Sequence, residues 1–354
     1  MTSITIMGAG VVGSATGKGF ARHGHGVSFV DIDASRIANL RREGFAVSDT
    51  VVLGDEPSII FLTLPTPNNG YRWDLDYLKA GTRTVGEALR ASTVMHTVVV
   101  RSTVPPGTCD EIVRPILEEA TDRPVNEGFA LASNPEFLRA RSAFEDFLSP
   151  RMTVIGSHSP RTLERLEDLL RPFGGELRRY PDPRTVELIK CTHNLYNATK
   201  ISFWNELWEV SERLGLNPAA IADTVALSSE ASYNTGYGIS GGTPYGGACL
   251  PKDTKGFLGF AAALGIDVPM ASATDQVNER LLALATAAVP EQADRLVRAR
   301  EQEVRNQSLR PNPSLDYQSA ERLHPSLDDQ SAELSPNPSL DYQSAEHDEE
   351  LAAR

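Results

Sequence analysis

The sequence predicts an α/β protein with a doubly wound parallel sheet, followed by an all-helical domain and a disordered tail. Residues 1–184 alternate short β-branched runs with amphipathic segments of helix length. Residues 185–304 have mainly helical patterns, and residues 305–354 are acidic and repetitive. These three observations predict three segments with those boundaries.

Six short runs in the first segment are apolar along nearly their whole length. Strands that helices cover on both faces of a parallel sheet have this composition, because neither face meets water. The runs are SITIM from Ser3, VSFVD from Val27, SIIFLTLP from Ser58, HTVVVRS from His96, FALASN from Phe129 and MTVIG from Met152. We expect each of them to be a strand of one sheet.

A glycine motif follows the first predicted strand and opens the first predicted helix. Gly8, Gly10 and Gly13 form G-x-G-x-x-G, and the second strand ends at Asp31, 23 residues after Gly8. Such glycines permit a tight turn at which a pyrophosphate meets the helix N-terminus, and the acid accepts hydrogen bonds from a ribose. Because Asp31 would repel a 2′-phosphate, the motif predicts a Rossmann-type domain that binds NAD. A glycine turn used only for packing is the alternative, and Arg36 either contacts a phosphate or is solvated.

Polar motifs follow three later strands. They are LPTPN with Thr66, RSTVPPGT with Ser102 and Thr103, and SNPEF with Asn134 and Glu136. Ligands of open α/β sheets bind beyond the carboxyl ends of the strands, so these motifs should converge on the cofactor crevice, although a single hydroxyl is commonly a cap or turn residue. The predicted cofactor-binding residues are Gly8, Gly10, Val11, Val12, Gly13, Asp31, Arg36, Thr66, Ser102 and Thr103.

A long helix is predicted from about Thr185, with the sequence TVELIKCTHNLYNATKISFWNELWEVSERLG before a Gly-Leu-Asn-Pro stop signal. Lys190 and Asn194 are four residues apart on it, so they share a face and can approach one ligand. A lysine at such a position is also commonly solvated. Apolar and aromatic residues lie on more than one side, which favours packing against a neighbour and a second subunit.

Cys249 lies in the stretch GGACLPKD. A free cysteine is commonly a small buried hydrophobe, but Gly246 and Gly247 offer no side chain to cover this one, and Lys252 and Asp253 follow closely. We interpret Cys249 as a reactive nucleophile, and Cys109 and Cys191 as structural residues.

A cysteine combined with NAD predicts oxidation beyond an aldehyde. A thiolate that adds to the aldehyde gives a thiohemiacetal, which can be oxidised to a thioester and then hydrolysed to a carboxylate. Lys190 and Asn194 would stabilise the developing oxyanions, and Glu136 would act as the base toward water.

Composition argues against several classes of partner. The net charge is −13, and phosphate binding by nucleic-acid-binding proteins needs a basic surface. Three cysteines and seven histidines are dispersed along the chain without a C-x-x-C pair, so neither a disulfide framework nor a metal site is expected. The sequence has no apolar run of the roughly 18 residues that a membrane span needs, and its N-terminus does not resemble a signal peptide. We expect a cytoplasmic protein.

The tail repeats PSLD at Pro313, Pro325 and Pro338. Its Pro, Ser, Asp and Glu content buries too little apolar surface to offset chain entropy, which predicts disorder. An interaction tail and an inert extension are both open.

The motifs MGAGVVG, VDID, LPTP, STVPPGT, NPEFLR and GGACLPKD, in this order within about residues 1–290, resemble the UDP-glucose/GDP-mannose dehydrogenase family of sugar-nucleotide dehydrogenases. The resemblance implies that two NAD oxidise the C6 hydroxymethyl of a nucleotide sugar, such as UDP-glucose, to a uronic acid. It also implies a homodimer formed through the long helix.

The resemblance assigns roles to particular residues. It implies that Cys249 is the nucleophile, that Lys190 and Asn194 are the oxyanion partners, that Glu136 activates water, and that Thr103 and Asp253 position that water. The implied substrate-binding residues are Phe137, Leu138, Lys190, Asn194, Tyr237 and Gly246.

Three features depart from the family pattern. Ala140 stands where a second glutamate is usual, and the loop before Cys249 has no arginine and carries Tyr245 in place of a phenylalanine. The acidic repeats stand where a second α/β domain usually begins. Two alternatives are therefore a single-step NAD-dependent hydroxyacid dehydrogenase, which needs no Cys249, and a catalytically impaired NAD-binding dimer.

Overall fold

The parallel sheet predicted from the sequence is present in the computed structural model, which describes residues 1–287 apart from Ser240 and Ala248. The strands are β1 (Ser3–Met7), β2 (Gly26–Val30), β3 (Ala46–Ser48), β4 (Ile59–Leu62), β5 (Asn68–Asn69), β6 (Arg72–Trp73), β7 (His96–Val100), β8 (Phe129–Ser133), β9 (Met152–Gly156) and β10 (Glu176–Tyr180). The α-helices are α1 (Val11–Arg22), α2 (Ala34–Arg42), α3 (Asp76–Ala91), α4 (Arg114–Thr121), α5 (Ala143–Leu148), α6 (Pro160–Leu170), α7 (Pro183–Arg213), α8 (Pro218–Ser228), α9 (Glu230–Tyr233), α10 (Leu250–Ala263) and α11 (Pro269–Ala287). A π-helical turn, Cys109–Val113, leads directly into α4.

Eight of the strands form one sheet in the order β10-β9-β8-β7-β4-β1-β2-β3. From β3 to β8 all neighbours are parallel, and the order of these six strands is the 3-2-1-4-5-6 order of dinucleotide-binding domains. β9 pairs with β8 in the antiparallel sense through Ser133 and Gly156, and β10 is parallel to β9. The predicted doubly wound α/β fold is confirmed, and all six predicted runs contain strands.

Alternate residues of the central strands enter two apolar clusters on opposite faces of the sheet. In β4, Ile59 and Phe61 join one cluster, whereas Ile60 and Leu62 join the other. Because side chains alternate along a strand, a run that is buried on both sides supplies both cores at once. This double burial explains why the runs carry so few polar residues.

The long helix α7 begins two residues before its predicted start. The side chain of Asp182 accepts a hydrogen bond from the backbone N–H of Arg184, and Pro183 occupies the first turn, where a missing N–H costs nothing. The helix has 31 residues and ends before Gly215, whose φ is +70°. Near its end, Val210 packs with Ala261 in a small apolar cluster.

The described chain divides into two compact units. The first contains Met1–Tyr237 and Pro251–Asp275, and the second contains Gly238–Leu250 with the described residues after Asp275. The predicted division at residue 184 stays a prediction, and the predicted tail at 305–354 lies outside the described residues, as do 288–304. Among the helices of residues 1–287, none has the length and hydropathy of a membrane span.

Candidate active site

A cleft of about 650 Å³ opens at the carboxyl ends of β1, β2, β4 and β7. It lies where the strand order reverses between β1 and β4, which is the position of ligands in doubly wound sheets. Sequence-predicted residues that line this cleft are Gly8, Gly10, Val11, Val12, Asp31, Arg36, Thr66, Ser102, Thr103 and Glu136. The three polar motifs therefore converge on the glycine turn, as expected.

The glycines of the turn have different surroundings. Gly8 has φ +97°, and a Cβ on it would lie 2.6 Å from the carbonyl oxygen of Thr63. A Cβ on Gly13 would lie 1.9 Å from the carbonyl oxygen of Gly8, so Gly13 permits close packing of α1 rather than lining the cleft. Around Gly10 no atom outside its chain neighbours lies within 4 Å of the corresponding position, and no side chain caps α1. The N-terminus of α1 thus faces open space that fits the pyrophosphate of NAD.

Asp31 is buried at the end of β2 with its carboxylate at the cleft. One oxygen accepts a hydrogen bond from the backbone N–H of Ala9 at 2.6 Å, and the other accepts one from the backbone N–H of Asp33 at 2.8 Å. Each carboxylate oxygen keeps a further lone pair for a ribose hydroxyl. Arg36, which was expected either to contact a phosphate or to be solvated, lies on the cleft wall. Its guanidinium is 3.5 Å from a carboxylate oxygen of Asp31.

Two predicted hydroxyls join the loops that follow β4 and β7. Thr66 donates a hydrogen bond to the carbonyl of Thr103 at 2.7 Å, and Ser102 donates one to the carbonyl of Leu64 at 2.6 Å. These bonds fix the floor of the cleft. Direct contacts of these hydroxyls with a cofactor stay predictions.

A buried ion pair adjoins the cleft. The Lys190 ammonium on α7 lies 3.1 Å from a carboxylate oxygen of Glu136, with side-chain exposures of 6% and 13%. The ring of Phe137 lies 5.4 Å from the same ammonium, and the backbone N–H of Leu138 donates to Glu136. An acid, a cation and an aromatic face are therefore held together in a desolvated place beside the cofactor cleft, where their electrostatic effect is strong.

Comparison with known proteins matches most of the chain to one family. The NAD binding domain of the UDP-glucose/GDP-mannose dehydrogenase family matches residues 2–52 and 47–174, and the central domain of that family matches residues 184–280. The chain belongs to the UDP-glucose/GDP-mannose dehydrogenase family. The resemblance inferred from the motifs is thereby confirmed, and so is NAD as the cofactor of its first domain.

Individual members of the family align with about three quarters of the chain. A GDP-mannose 6-dehydrogenase from Pseudomonas syringae pv. tomato is 31% identical over 298 residues, which are 78% of this chain and 67% of the relative. A UDP-glucose 6-dehydrogenase from Haloferax volcanii is 32% identical over 300 residues, 78% of this chain and 69% of the relative. A crystal structure of a ternary complex of Pseudomonas aeruginosa GDP-mannose dehydrogenase superposes with a TM-score of 0.72 at 30% identity, covering 80% of this chain and 69% of that one.

Arg101 also lines the cleft, although it is not among the residues predicted from the sequence. Its guanidinium is buried and donates to the hydroxyl of Thr16 at 2.9 Å and to the side chain of Asn134 at 2.6 Å. Burial lowers the pKa of Arg101 to about 10. In the sequence, the signal for this residue was a charged side chain at the end of the apolar run HTVVVRS. In the structure, Arg101 places a fixed positive charge in the cleft wall.

The remaining predicted residues are placed as follows. Asn194 is exposed on α7, and the side chain of Leu138 packs against the first core cluster. Tyr237 is exposed in the first unit, and Asp253 is exposed on α10 and paired with Lys252. Gly246 and Cys249 belong to the second unit, where both are exposed. The roles of these residues stay predictions.

The three cysteines differ in exposure. Cys109 is fully buried, and burial raises the pKa of its thiol well above the usual value. Cys191 is partly buried and donates to the carbonyl of Val104 at 3.3 Å. Cys249 is exposed. Cys249 is therefore the most accessible thiol of the three, and its role as the nucleophile stays a prediction.

The sequence predicted no metal site. Among the described residues, one group of side chains has the composition and spacing of potential metal ligands. Asp110, His158 and Asp182 place ligand atoms within 4.8 Å of one another. Each of them also has protein partners, since His158 bonds to the carbonyl of Pro181 and to Asp110, and Asp182 pairs with Arg184. Through these hydrogen bonds and ion pairs the group connects the π-helical turn, the turn after β9 and the start of α7.

Proposed function

We propose that this chain is an NAD-dependent nucleotide-sugar 6-dehydrogenase that oxidises the C6 hydroxymethyl of a UDP-glucose-like substrate to a uronic acid. The observation that carries the proposal is the desolvated pair of Lys190 and Glu136 beside the NAD cleft. The printed names of the relatives, GDP-mannose and UDP-glucose 6-dehydrogenase, support the substrate class.

The first half of the reaction converts an alcohol to an aldehyde: the C6 carbon loses a hydride, and the hydroxyl proton passes to water. NAD, when bound, accepts the two electrons of each oxidation. The Lys190 ammonium lies 3.1 Å from the cleft-lining Glu136, and we assign to it the stabilisation of the oxygen on which negative charge develops. Asn194, one helical turn further on, is proposed to act on the same oxygen.

The second half needs a covalent step. The thiolate of Cys249 adds to the aldehyde carbon, and the resulting thiohemiacetal is oxidised to a thioester. Glu136 then takes a proton from a water molecule that Thr103 and Asp253 position, and the attack of this water releases the carboxylate and restores the thiol. The low exposure of Glu136 strengthens its interactions with charge in the site.

The substrate contacts are proposed to come from two parts of the chain. Phe137 presents its ring next to Lys190, and Leu138 fixes the carboxylate of Glu136 through its backbone N–H. Tyr237 and Gly246 flank the loop that precedes Cys249. We further propose that two copies of the chain associate through α7.

The decisive experiment measures NADH produced per nucleotide sugar consumed. Purified protein with NAD is offered a panel that includes UDP-glucose and GDP-mannose, and we expect two NADH per substrate. The variant Cys249→Ser should lose more than about 100-fold in uronic acid formation, because a hydroxyl is a far weaker nucleophile than a thiolate. Cys191→Ser is the matched control and should keep the two-to-one ratio, since serine can also donate to the carbonyl of Val104.

Other outcomes would favour the alternatives. One NADH per substrate, with full activity in Cys249→Ser, would establish a single-step dehydrogenase. Binding of NAD without turnover of any sugar nucleotide would favour the catalytically impaired NAD-binding protein, whose dimeric state needs a separate measurement. Either result would reject the proposed four-electron oxidation.

A further inference from the structure

Glu187 is a buried acid on α7 that none of the steps above uses. Its two carboxylate oxygens accept hydrogen bonds from the backbone N–H groups of Gly107 at 2.6 Å and Cys109 at 2.9 Å. These N–H groups lie at the start of the helical run that begins at Cys109 and continues into α4. The first N–H groups of a helix have no partner within it, so Glu187 caps this run from a helix 80 residues away in sequence.

A second contact lies one helical turn further along α7. Cys191 donates from its thiol to the carbonyl of Val104, so Glu187 and Cys191 hold two points of the same loop. Thr103 precedes Val104, and its carbonyl accepts the hydrogen bond of Thr66 at the cleft. The loop is thereby fixed on one side to α7 and on the other side to the cofactor crevice.

Lys190 stands on α7 between these two contacts. Three and four residues along a helix return to one face, so residues 187, 190 and 191 lie together. The ammonium of Lys190 is 3.1 Å from Glu136, which itself lines the cleft. One face of α7 thus holds both the loop that carries Thr103 and the cation of the proposed site.

Burial raises the pKa of the Glu187 carboxyl, because loss of solvent disfavours its charged form. A buried acid of this kind costs solvation free energy that an apolar side chain of similar volume would not. Its two backbone hydrogen bonds offset part of this cost and hold the loop at a defined position on α7.

We propose that Glu187 is a positioning residue that fixes the loop of residues 102–109 on α7 and so sets the separation between Thr103 and Lys190. The proposal rests on the function proposed above. In that reaction the residue does not contact the reacting atoms. It acts through the backbone of Gly107 and Cys109.

The chain offers a matched control on the same helix. Glu206 is also buried, and its carboxylate accepts hydrogen bonds from the backbone N–H groups of Met270 at 2.6 Å and Ala271 at 2.9 Å. It caps α11 as Glu187 caps the helical run that begins at Cys109, but neither Glu206 nor the two residues that it caps are among those that line the cleft. Changing either acid to glutamine removes the same kind of double cap.

The kinetic test compares Glu187→Gln with Glu206→Gln. An amide group keeps one acceptor and turns an N–H donor toward a backbone N–H. Misplacement of a catalytic group by about 1 Å can cost about 100-fold, so we expect kcat of Glu187→Gln to fall about 30- to 100-fold, with the KM for nucleotide sugar changed by less than about threefold. Both variants should have melting temperatures lowered by a similar amount, but Glu206→Gln should keep kcat within about threefold of the unaltered protein.

A second readout needs no substrate. Hydrogen exchange of the Gly107 and Cys109 amides should become about tenfold faster in Glu187→Gln and stay unchanged in Glu206→Gln, with the opposite result for Met270 and Ala271. Unchanged exchange at Gly107 and Cys109 in Glu187→Gln would overturn the anchor, and equal losses of kcat in both variants would overturn the positioning role. Failure of the proposed function differs from both, because it is measured on the unaltered protein, which would then form one NADH or none per sugar nucleotide.

Discussion

Gly10 and Gly13 belong to one motif but meet different physical requirements. A methyl group at residue 13 would overlap the carbonyl oxygen of Gly8, whereas a methyl group at residue 10 would project into the cleft. We expect Gly13→Ala to destabilise the fold by about 1–3 kcal/mol through overpacking. Gly10→Ala should fold normally but bind NAD at least about tenfold more weakly, because the pyrophosphate must approach the backbone there.

Thermal denaturation and fluorescence titration with NAD separate these two effects. A melting temperature of Gly10→Ala as low as that of Gly13→Ala would contradict the open surroundings of Gly10. Unchanged NAD affinity in Gly10→Ala would contradict the placement of the pyrophosphate next to the backbone of Gly10.

How far single residues could be predicted depends on how local their signal is. A turn, α1 and β2 separate Gly8 from Asp31, so the glycine motif and the spacing to this acid predicted the cofactor cleft that both line. Arg101 gave no comparable signal, because a charge at the end of a strand has the same sequence pattern whether it meets solvent or a buried partner. Its contact with Thr16 joins residues 85 positions apart, which no local pattern encodes.

At the scale of elements, burial decided which strands could be recognised. The central strands are buried on both faces and stand out as apolar runs. β3 and β10 lie at the two edges of the sheet, and β10 has the sequence ELRRY with exposed charged residues. Charges on edge strands discourage pairing with other chains, and they also remove the apolar pattern by which a strand is found.

The turn before α5 depends on one carboxylate. Asp146 accepts hydrogen bonds from the backbone N–H of Arg139 at 2.8 Å, from its guanidinium and from the hydroxyl of Ser142. The Arg139 guanidinium, with these bonds, lowers the pKa of Asp146 to about 2. Because this pKa is below the unfolded value of 3.8, the carboxylate stabilises the fold above about pH 4 and loses that effect as the pH falls toward 2.

We therefore expect Asp146→Asn to lower the free energy of unfolding by about 0.5–1 kcal/mol at pH 7, a small effect because the Arg139 side chain is largely exposed. Urea unfolding at several pH values should show the variant and the original protein converging near pH 2. Glu176→Gln removes an exposed pair with Arg178 and serves as the control, with less than about 0.5 kcal/mol at pH 7. A constant difference for Asp146→Asn from pH 7 to pH 2 would show that ionisation is not the cause.

At the scale of the whole molecule, the middle of α7 presents a group of exposed apolar side chains within the described residues. Residues 194–203 are all exposed, although both ends of the helix contain buried positions. Its apolar residues there are at least 41% exposed, namely Leu195, Tyr196, Ile201 and Phe203. A helix that is apolar on several sides packs against other elements, and exposed patches of this kind commonly form interfaces.

The proposed homodimer would cover this surface, and one substitution tests it. Ile201→Glu places a charge on the exposed middle of α7, and burying an unpaired charge in an interface costs several kcal/mol, so we expect a weakening of dimerisation by at least about 100-fold. Val52→Glu, at an exposed apolar residue far from α7 in sequence, should leave the dimer intact. Light scattering at about 10 µM protein distinguishes the forms. A monomeric unaltered protein, or a dimer that Ile201→Glu leaves unchanged, would remove α7 as the interface.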